Sequence, residues 1–198
     1  MNPGPIEIVL EVAGAFERLG VRYLIGGSMA SSAHGLARST MDVDVVAELE
    51  PGQIDALADL LGGGWHADRV AMREAARSRR SFNLLHLETM FKVDVFVMPD
   101  APWERSQMAR REALRIGAAE QDVAYFAAVE DVILAKLRWY RMGGEVSDRQ
   151  WRDVLGVLAL QAGRIDQDYL ARWARSLQIA DLLERALAQT GGSGDAGA

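Results

Sequence analysis

Two short runs constrain this chain more than anything else in it: Asp42-Val43-Asp44-Val45-Val46-Ala47 and Phe91-Lys92-Val93-Asp94-Val95-Phe96. In both, charged residues alternate with valine, which is the period of a β-strand, and β-branched side chains suit a strand. As strands, the runs turn their valines to one side and their charges to the other. Asp42 and Asp44 then share a face with Cα atoms roughly 6.5–7 Å apart, and Lys92 and Asp94 share a face of the second run. Paired carboxylates on an otherwise apolar strand repel each other and are costly to desolvate. A divalent cation resolves that conflict, and hard Mg2+ prefers carboxylate and phosphate oxygens together. Three strand-borne carboxylates, Asp42, Asp44 and Asp94, can hold two metals roughly 3.5–4 Å apart, an arrangement that activates an attacking hydroxyl and steadies a departing phosphate.

Ahead of the first run, Val21-Arg22-Tyr23-Leu24-Ile25 reads as a strand that ends in Gly26-Gly27. Ser28 follows, placed to N-cap a short helix through His34. Glycine lets the backbone approach an anion, and the N–H groups and dipole of a helix start favour it. A lone Gly-Gly-Ser is usually a turn, and a lone Asp-x-Asp is usually a solvated strand end. A glycine–serine turn after a strand, a paired-Asp strand and a third Asp on a later strand, in that order, point to nucleotide chemistry.

The rest of the chain frames these elements. Residues 5–19 carry apolar side chains at helical spacing, and a second helix starts at Pro51 and stops at Gly62-Gly63-Gly64. Residues 81–87 and 91–98 read as two strands. That order implies an α/β or α+β fold with a mixed sheet. From about residue 128 the pattern is helical throughout. Val129 to Met142 forms one helix, and the capping box Ser147-Asp148-Arg149-Gln150 opens a second. Asp166 opens a third, and Ile179 to Ala188 form a fourth. The expected division is a core over 1–127, a helical subdomain over 128–190 and a disordered tail over 191–198, whose Gly- and Ser-rich composition is that of a flexible linker.

Composition narrows the chemistry. The 198 residues are 49% apolar and 25% charged, ordinary for a globular protein, and include no cysteine. Disulfide scaffolds, thiolate zinc sites and cysteine nucleophiles are therefore excluded. His34, His66 and His86 show no metal-ligand spacing. No apolar run approaches the ~20 residues that cross a membrane, and Glu7, Glu11 and Glu17 rule out a signal peptide at the start, so the expected location is the cytoplasm. The net charge of −6 argues against bulk nucleic-acid binding. A local patch remains open, because arginines cluster at 69–80 and 105–115. All but two of the 22 basic residues are arginine; the lysines are Lys92 and Lys136.

The Gly27-Ser28 to Asp42-Val43-Asp44 run resembles the first motif of the DNA polymerase β-like nucleotidyltransferase superfamily. The wider pattern is most similar to the AbiEii-like nucleotidyltransferase toxins, which include the mycobacterial MenT proteins. Lys92-Val93-Asp94 resembles their second motif, Asp131 to Leu137 the third, and Arg149-Gln150-Trp151-Arg152-Asp153 the fourth, with Arg152 where the family usually has Lys. The resemblance covers about residues 20–160. It implies an α+β nucleotidyltransferase-type mixed sheet flanked by helices, with a C-terminal helical bundle.

It also implies an enzyme that binds an NTP as its Mg2+ complex and transfers NMP to the 3′ end of tRNA, releasing pyrophosphate and stopping translation and growth until a cognate antitoxin intervenes. On this reading Asp42, Asp44 and Asp94 ligate metal, with Asp94 an alternative general base. Gly27, Ser28, Lys136 and Arg149 hold the nucleotide, and Asp153 joins the catalytic set. A small-molecule acceptor such as an antibiotic hydroxyl is the alternative, and a catalytically silent binding module on the same fold a third.

Other readings stay open on the residues themselves. Lys136 is either a cation for the triphosphate or a lysine snorkelling beside the stripe of Ile133, Leu137 and Tyr140. Asp153 is either catalytic or merely paired with Arg149 or Arg152. Arg77, Arg79 and Arg80 either steer an RNA backbone or form a solvated face. Trp139, Trp151 and Trp173 are expected in the core. Thr40, with Ser39 as the fallback, is the phosphorylation candidate by resemblance: a phosphate there adds roughly −1.5 to −2 charge beside Asp42 and Asp44.

Overall fold

The computed structural model describes residues 3–35 and 42–191. Thr40, Ser39 and residues 192–198 of the expected tail lie outside the described residues. The chain divides into two compact units, Met1–Met29 with Ser39–Ala127, and Ala30–Arg38 with Ala128–Ala198.

The first unit is built on one seven-stranded sheet. Its strands are β1 (Tyr23–Ile25), β2 (Asp42–Ala47), β3 (Trp65–His66), β4 (Ser81–His86), β5 (Lys92–Val97), β6 (Glu112–Arg115) and β7 (Val123–Phe126). They lie in the order β3-β4-β5-β2-β1-β7-β6. The β2–β5 and β1–β7 pairs are parallel and the others antiparallel, so the sheet is mixed. Helices α1 (Pro5–Arg18), α3 (Ile54–Leu61), α4 (Arg69–Ser78) and α5 (Pro102–Arg110) belong to this unit. Helix α2 (Gly27–His34) begins in it, at the end of β1, and continues into the second unit.

Alternation decides which face of the sheet is core. Along β2 and β5 the residues are half-buried and buried in strict turn. Val43, Val45, Val93 and Val95 are buried on one face, where Val9, Val12, Ala13 and Phe16 of α1 meet Val43, Val45, Val93, Tyr23 and Ile25 in a common apolar interior. Phe16 stacks on Tyr23 with ring centroids 5.6 Å apart. The Tyr23 hydroxyl donates to Glu17 at 3.0 Å, and burial holds its pKa well above the ordinary tyrosine value. Trp65 ties β3 to α1 through its indole N–H, which donates to Glu11 at 2.9 Å.

The sequence reading falls short here in five elements: β3, α4, α5, β6 and β7. Helix α4 was hidden by its arginines. It is strongly amphipathic, is capped by the Asp68 side chain, which accepts from Val70 and Ala71, and buries Met72, Ala75 and Ala76. Strand β6 is mostly exposed, so no alternation marks it; pairing to β7 makes it a strand. Ser28 is the second residue of α2 rather than the residue before it, so it does not occupy the expected N-cap position.

The second unit contains α6 (Val129–Met142), α7 (Asp148–Gln161), α8 (Gln167–Ser176) and α9 (Ala180–Gly191). Gly191, expected in the tail, closes α9. Ser147 caps α7 by accepting from the Gln150 N–H, and Asp166 caps α8 by accepting from Tyr169. Ile133, Leu134, Leu137, Val154, Leu158, Leu170 and Leu182 are buried. The tryptophans depart from expectation: Trp139 is 50% exposed, while Trp151 and Trp173 are only partly buried. Trp151 packs on Tyr140 and carries the Arg185 guanidinium 4.0 Å above its ring, so its faces serve a surface cation–π stack. Among the described residues no helix is long and apolar enough to cross a membrane.

Phe16 is wholly buried at the junction of α1 with the sheet. Phe16→Ala is expected to destabilise the first unit by about 3–5 kcal/mol, through lost burial and the cavity left behind. Urea unfolding followed by tryptophan fluorescence measures this, and a loss below about 1 kcal/mol would show that α1 does not hold the sheet.

Candidate active site

Register assembles the charged face. In the parallel β2–β5 pair, Asp42 lies opposite Lys92 and Asp44 opposite Asp94. Residues that face each other across a ladder point to the same side, so all four side chains rise from the face opposite α1. In the antiparallel β4–β5 pair, Asn83 lies opposite Asp94. On the other flank the Gly26 N–H donates to the Asp44 carbonyl at 2.8 Å. A single row therefore crosses three strands, at Asn83, Asp94 and Asp44, and ends at the Gly26-Gly27 turn that follows β1.

The turn is fitted to the carboxylate beside it. Gly27 has φ +55°, and a Cβ there would collide with the Asp44 carboxylate. Both facts require glycine: the left-handed backbone and the closeness of Asp44 leave no room for a side chain. Ser28 follows, half-buried in the first turn of α2. The backbone of a helix start and an aspartate thus lie side by side, a combination that a triphosphate and its cation would satisfy together.

Lys92 dominates the electrostatics. Its ammonium sits 2.7 Å from Asp94 Oδ2, with the Lys92 side chain 43% exposed and that of Asp94 17%. The hydrogen bond to Asp94, with added attraction from Asp94, Asp42 and Asp44, holds the Lys92 pKa above the ordinary lysine value despite partial burial. All three aspartates act on this one cation. Among the described residues no group of three or more His, Asp or Glu side chains gathers its donor atoms around a common point. The donor set is nonetheless the one Mg2+ takes, carboxylate oxygens carried on two adjacent rigid strands.

The remaining candidates lie in the second unit. Lys136 Nζ donates to Asp153 Oδ2 at 2.8 Å, joining α6 to α7, with side chains only 9% and 19% exposed. Lys136 is thus a buried ion-pair partner, not a snorkelling lysine. Arg152 instead turns its Nε to the Asp148 carbonyl at 3.3 Å. Arg149 is exposed one turn ahead of Asp153. Asp131, in the third motif, is wholly buried and accepts from the Tyr169 hydroxyl at 2.8 Å, a place inside the helical unit rather than on a substrate-facing surface.

The arginine cluster is partly neutralised. Arg69 bonds Asp55 and Asp59, Arg73 bonds Asp55, and Arg79 bonds Glu50 at 2.8 Å. Desolvation is the largest single influence on the Asp55 carboxyl and raises its pKa, but the hydrogen bonds and charges of Arg69 and Arg73 together outweigh it and hold the carboxyl below the ordinary aspartate value. Arg77, Arg79 and Arg80 are exposed. Asn83 was missed by sequence reading, because its place depends on the β4–β5 register. The Gly27–Asp44 contact was also beyond it, although the Gly-Gly pair ahead of a helix was the signal that pointed there.

No family model matches the chain, and no curated protein matches it in sequence. Solved structures do resemble it. The solution structure of the antibiotic-resistance factor ANT(2'')-Ia superposes with a TM-score of 0.53 at 14% identity, over 91% of this chain and 95% of that one. The crystal structure of ANT(2'')-Ia in complex with adenylyl-2''-tobramycin gives 0.56 at 14% identity, over 86% and 97%. An antigenic nucleotidyltransferase-like protein from Paracoccidioides brasiliensis gives 0.49 at 17% identity, over 92% of each chain. At these identities the shared property is the fold, a nucleotidyltransferase-type mixed sheet flanked by helices.

Proposed function

We propose that the protein is a divalent-metal-dependent nucleotidyltransferase that moves a nucleoside monophosphate from an NTP to a hydroxyl acceptor. The observation that carries this reading is the parallel register setting Asp44 beside Asp94, with Asp42 two residues along and Gly27 closed against Asp44. Gly27 and Ser28 offer the backbone and hydroxyl of a helix start to the triphosphate. An acceptor oxygen attacks the α-phosphorus; the new O–P bond forms as the bond to the bridging oxygen breaks, and pyrophosphate leaves with the electron pair. The acceptor proton passes to a carboxylate, for which Asp94 is the candidate. Bound by Asp42 and Asp44, with Asp94 as a third ligand in the alternative where it is not the base, Mg2+ would supply neutralisation of the triphosphate and a more acidic attacking hydroxyl. Otherwise the protein's work is positioning and charge compensation. Lys136, Arg149 and Asp153 enter by motif resemblance.

The resemblance to AbiEii-like toxins supports the 3′ end of tRNA as acceptor, growth arrest as outcome and an antitoxin as partner, with Arg77, Arg79 and Arg80 as contacts to the RNA backbone and Thr40 as the modified residue. A small-molecule hydroxyl is the second reading. It draws on the nearly full-length likeness to ANT(2'')-Ia, a structure of which carries adenylyl-2''-tobramycin, and on the pairing of Arg69, Arg73 and Arg79 with carboxylates.

Incubation with each α-labelled NTP, MgCl2 and either total tRNA or an aminoglycoside panel separates the two. Label on RNA supports the first acceptor, label on a small molecule the second, and no transfer to any acceptor overturns the enzyme reading. Asp44→Asn and Asp94→Asn are each expected to lower the rate by about 10³-fold or more. Asp44→Asn is expected to leave the melting temperature at or above wild type, because it removes one of two adjacent like charges, whereas Asp94→Asn also gives up the Lys92 ion pair and is expected to lower it slightly. Activity within tenfold of wild type would remove that residue from the site. Gly27→Ala is expected to cost about 10²-fold in rate, through displacement of Asp44 and strain at positive φ. A normal rate for the folded variant would show that the turn is only structural.

A further inference from the structure

The chain uses arginine almost everywhere it needs a cation, and its two lysines are exceptions with a common feature. Each ends on a candidate-site carboxylate: Lys92 on Asp94 at 2.7 Å and Lys136 on Asp153 at 2.8 Å. Arginine grips differently. Arg22 holds both oxygens of Glu48, at 2.5 and 2.7 Å, with its planar fork. An ammonium is a point charge on a flexible stem and can leave one oxygen without breaking a two-point clasp. Lys92 bonds one oxygen of Asp94, and its half-exposed side chain has a path into solvent.

Its place in the lattice is specific. Lys92 lies beside Asp42 in register, Asp94 lies beside Asp44, and the four side chains share one face. On the reading that this site takes a divalent metal, we infer that Lys92 is its exchangeable counter-cation: the ammonium holds Asp94 while no metal is bound and withdraws from it when a metal does bind. Lys92 then has two effects. It relieves repulsion among the aspartates of the empty site, and it weakens their hold on a free metal ion by competing for Asp94.

The experiment exploits the scarcity of lysine. Protein labelled with ¹³C at lysine Cε gives two signals, assigned with Lys92→Gln. MgCl2 is titrated in without nucleotide, and calorimetry follows the same titration. The Lys92 signal is expected to move towards that of a solvated lysine in step with binding, and Lys92→Gln is expected to bind Mg2+ about tenfold more tightly than wild type. Lys92→Arg, which clasps more firmly, is expected to bind it several-fold more weakly. Mg2+ binding with the Lys92 signal unmoved, or with unchanged affinity in Lys92→Gln, overturns the exchange and leaves the metal reading standing. No Mg2+ binding by either protein overturns both.

Discussion

Two like charges held side by side are the constraint on which the first unit turns. Asp44 and Asp94 occupy facing positions of adjacent parallel strands, at a spacing of roughly 4.8 Å. Their repulsion opposes this register, and a slip of one residue would relieve it. The same slip of β5 would turn Val93 and Val95 out to water and carry Lys92 and Asp94 towards the core, and a slip of β2 would do the same to Val43 and Val45, since the side-chain period is two. Each buried valine contributes about 1.5–3 kcal/mol against exposure, so two of them outweigh a like-charge pair that costs about 1 kcal/mol in water and about 4 kcal/mol near a protein surface, part of which the Lys92–Asp94 ion pair offsets. The apolar face therefore wins, and the packing of α1 beneath the sheet fixes the carboxylates above it.

The glycine turn obeys the same logic at closer range. Asp44 carries a carboxylate against the backbone of Gly27, and the Gly26 N–H is already spent on the Asp44 carbonyl. Stability alone would favour a neutral residue at position 44, whereas position 27, at φ +55°, favours glycine in any case. The arrangement makes sense when a phosphate-bearing ligand and a cation arrive together. On the proposed reading the cation would answer Asp44 and the helix start the phosphate.

Much of the site was legible because it depends on local periodicity. Alternation in two six-residue runs is enough to place Asp42 with Asp44 and Lys92 with Asp94, and the helices after residue 128 announce themselves by caps and spacing. What was not legible depends on partners distant in sequence. Asn83 joins the row only through the β4–β5 register. Strand β7 is held by a single register position against β1 and by β6, itself too exposed to show a pattern. Helix α4 read as a charged stretch because its apolar face is only Met72, Ala75 and Ala76, while Arg69 and Arg73 are answered by Asp55 and Asp59 of α3. Single-residue chemistry does not foresee which carboxylate an arginine will find, so apparent basic patches are the least readable feature of such a chain.

The second unit raises the complementary question, why a buried pair of opposite charges is kept at all. Lys136 stands beside Ile133, Leu137 and Tyr140, with Asp153 reaching it from α7. Desolvation offsets much of the attraction in such a pair, and two apolar side chains of similar size would serve stability as well or better. Stability alone therefore gives little reason for the pair. The pair holds an ammonium in place, beside the buried Ile133, Leu137 and Tyr140, by one oxygen of one carboxylate. A lysine so placed loses little when a more highly charged anion replaces that carboxylate. Lys92 faces the reciprocal situation, a carboxylate that a stronger cation can claim. On the proposed reading, in both units a ligand of higher charge would displace the monodentate lysine pair more readily than it would the bidentate arginine pair between Arg22 and Glu48.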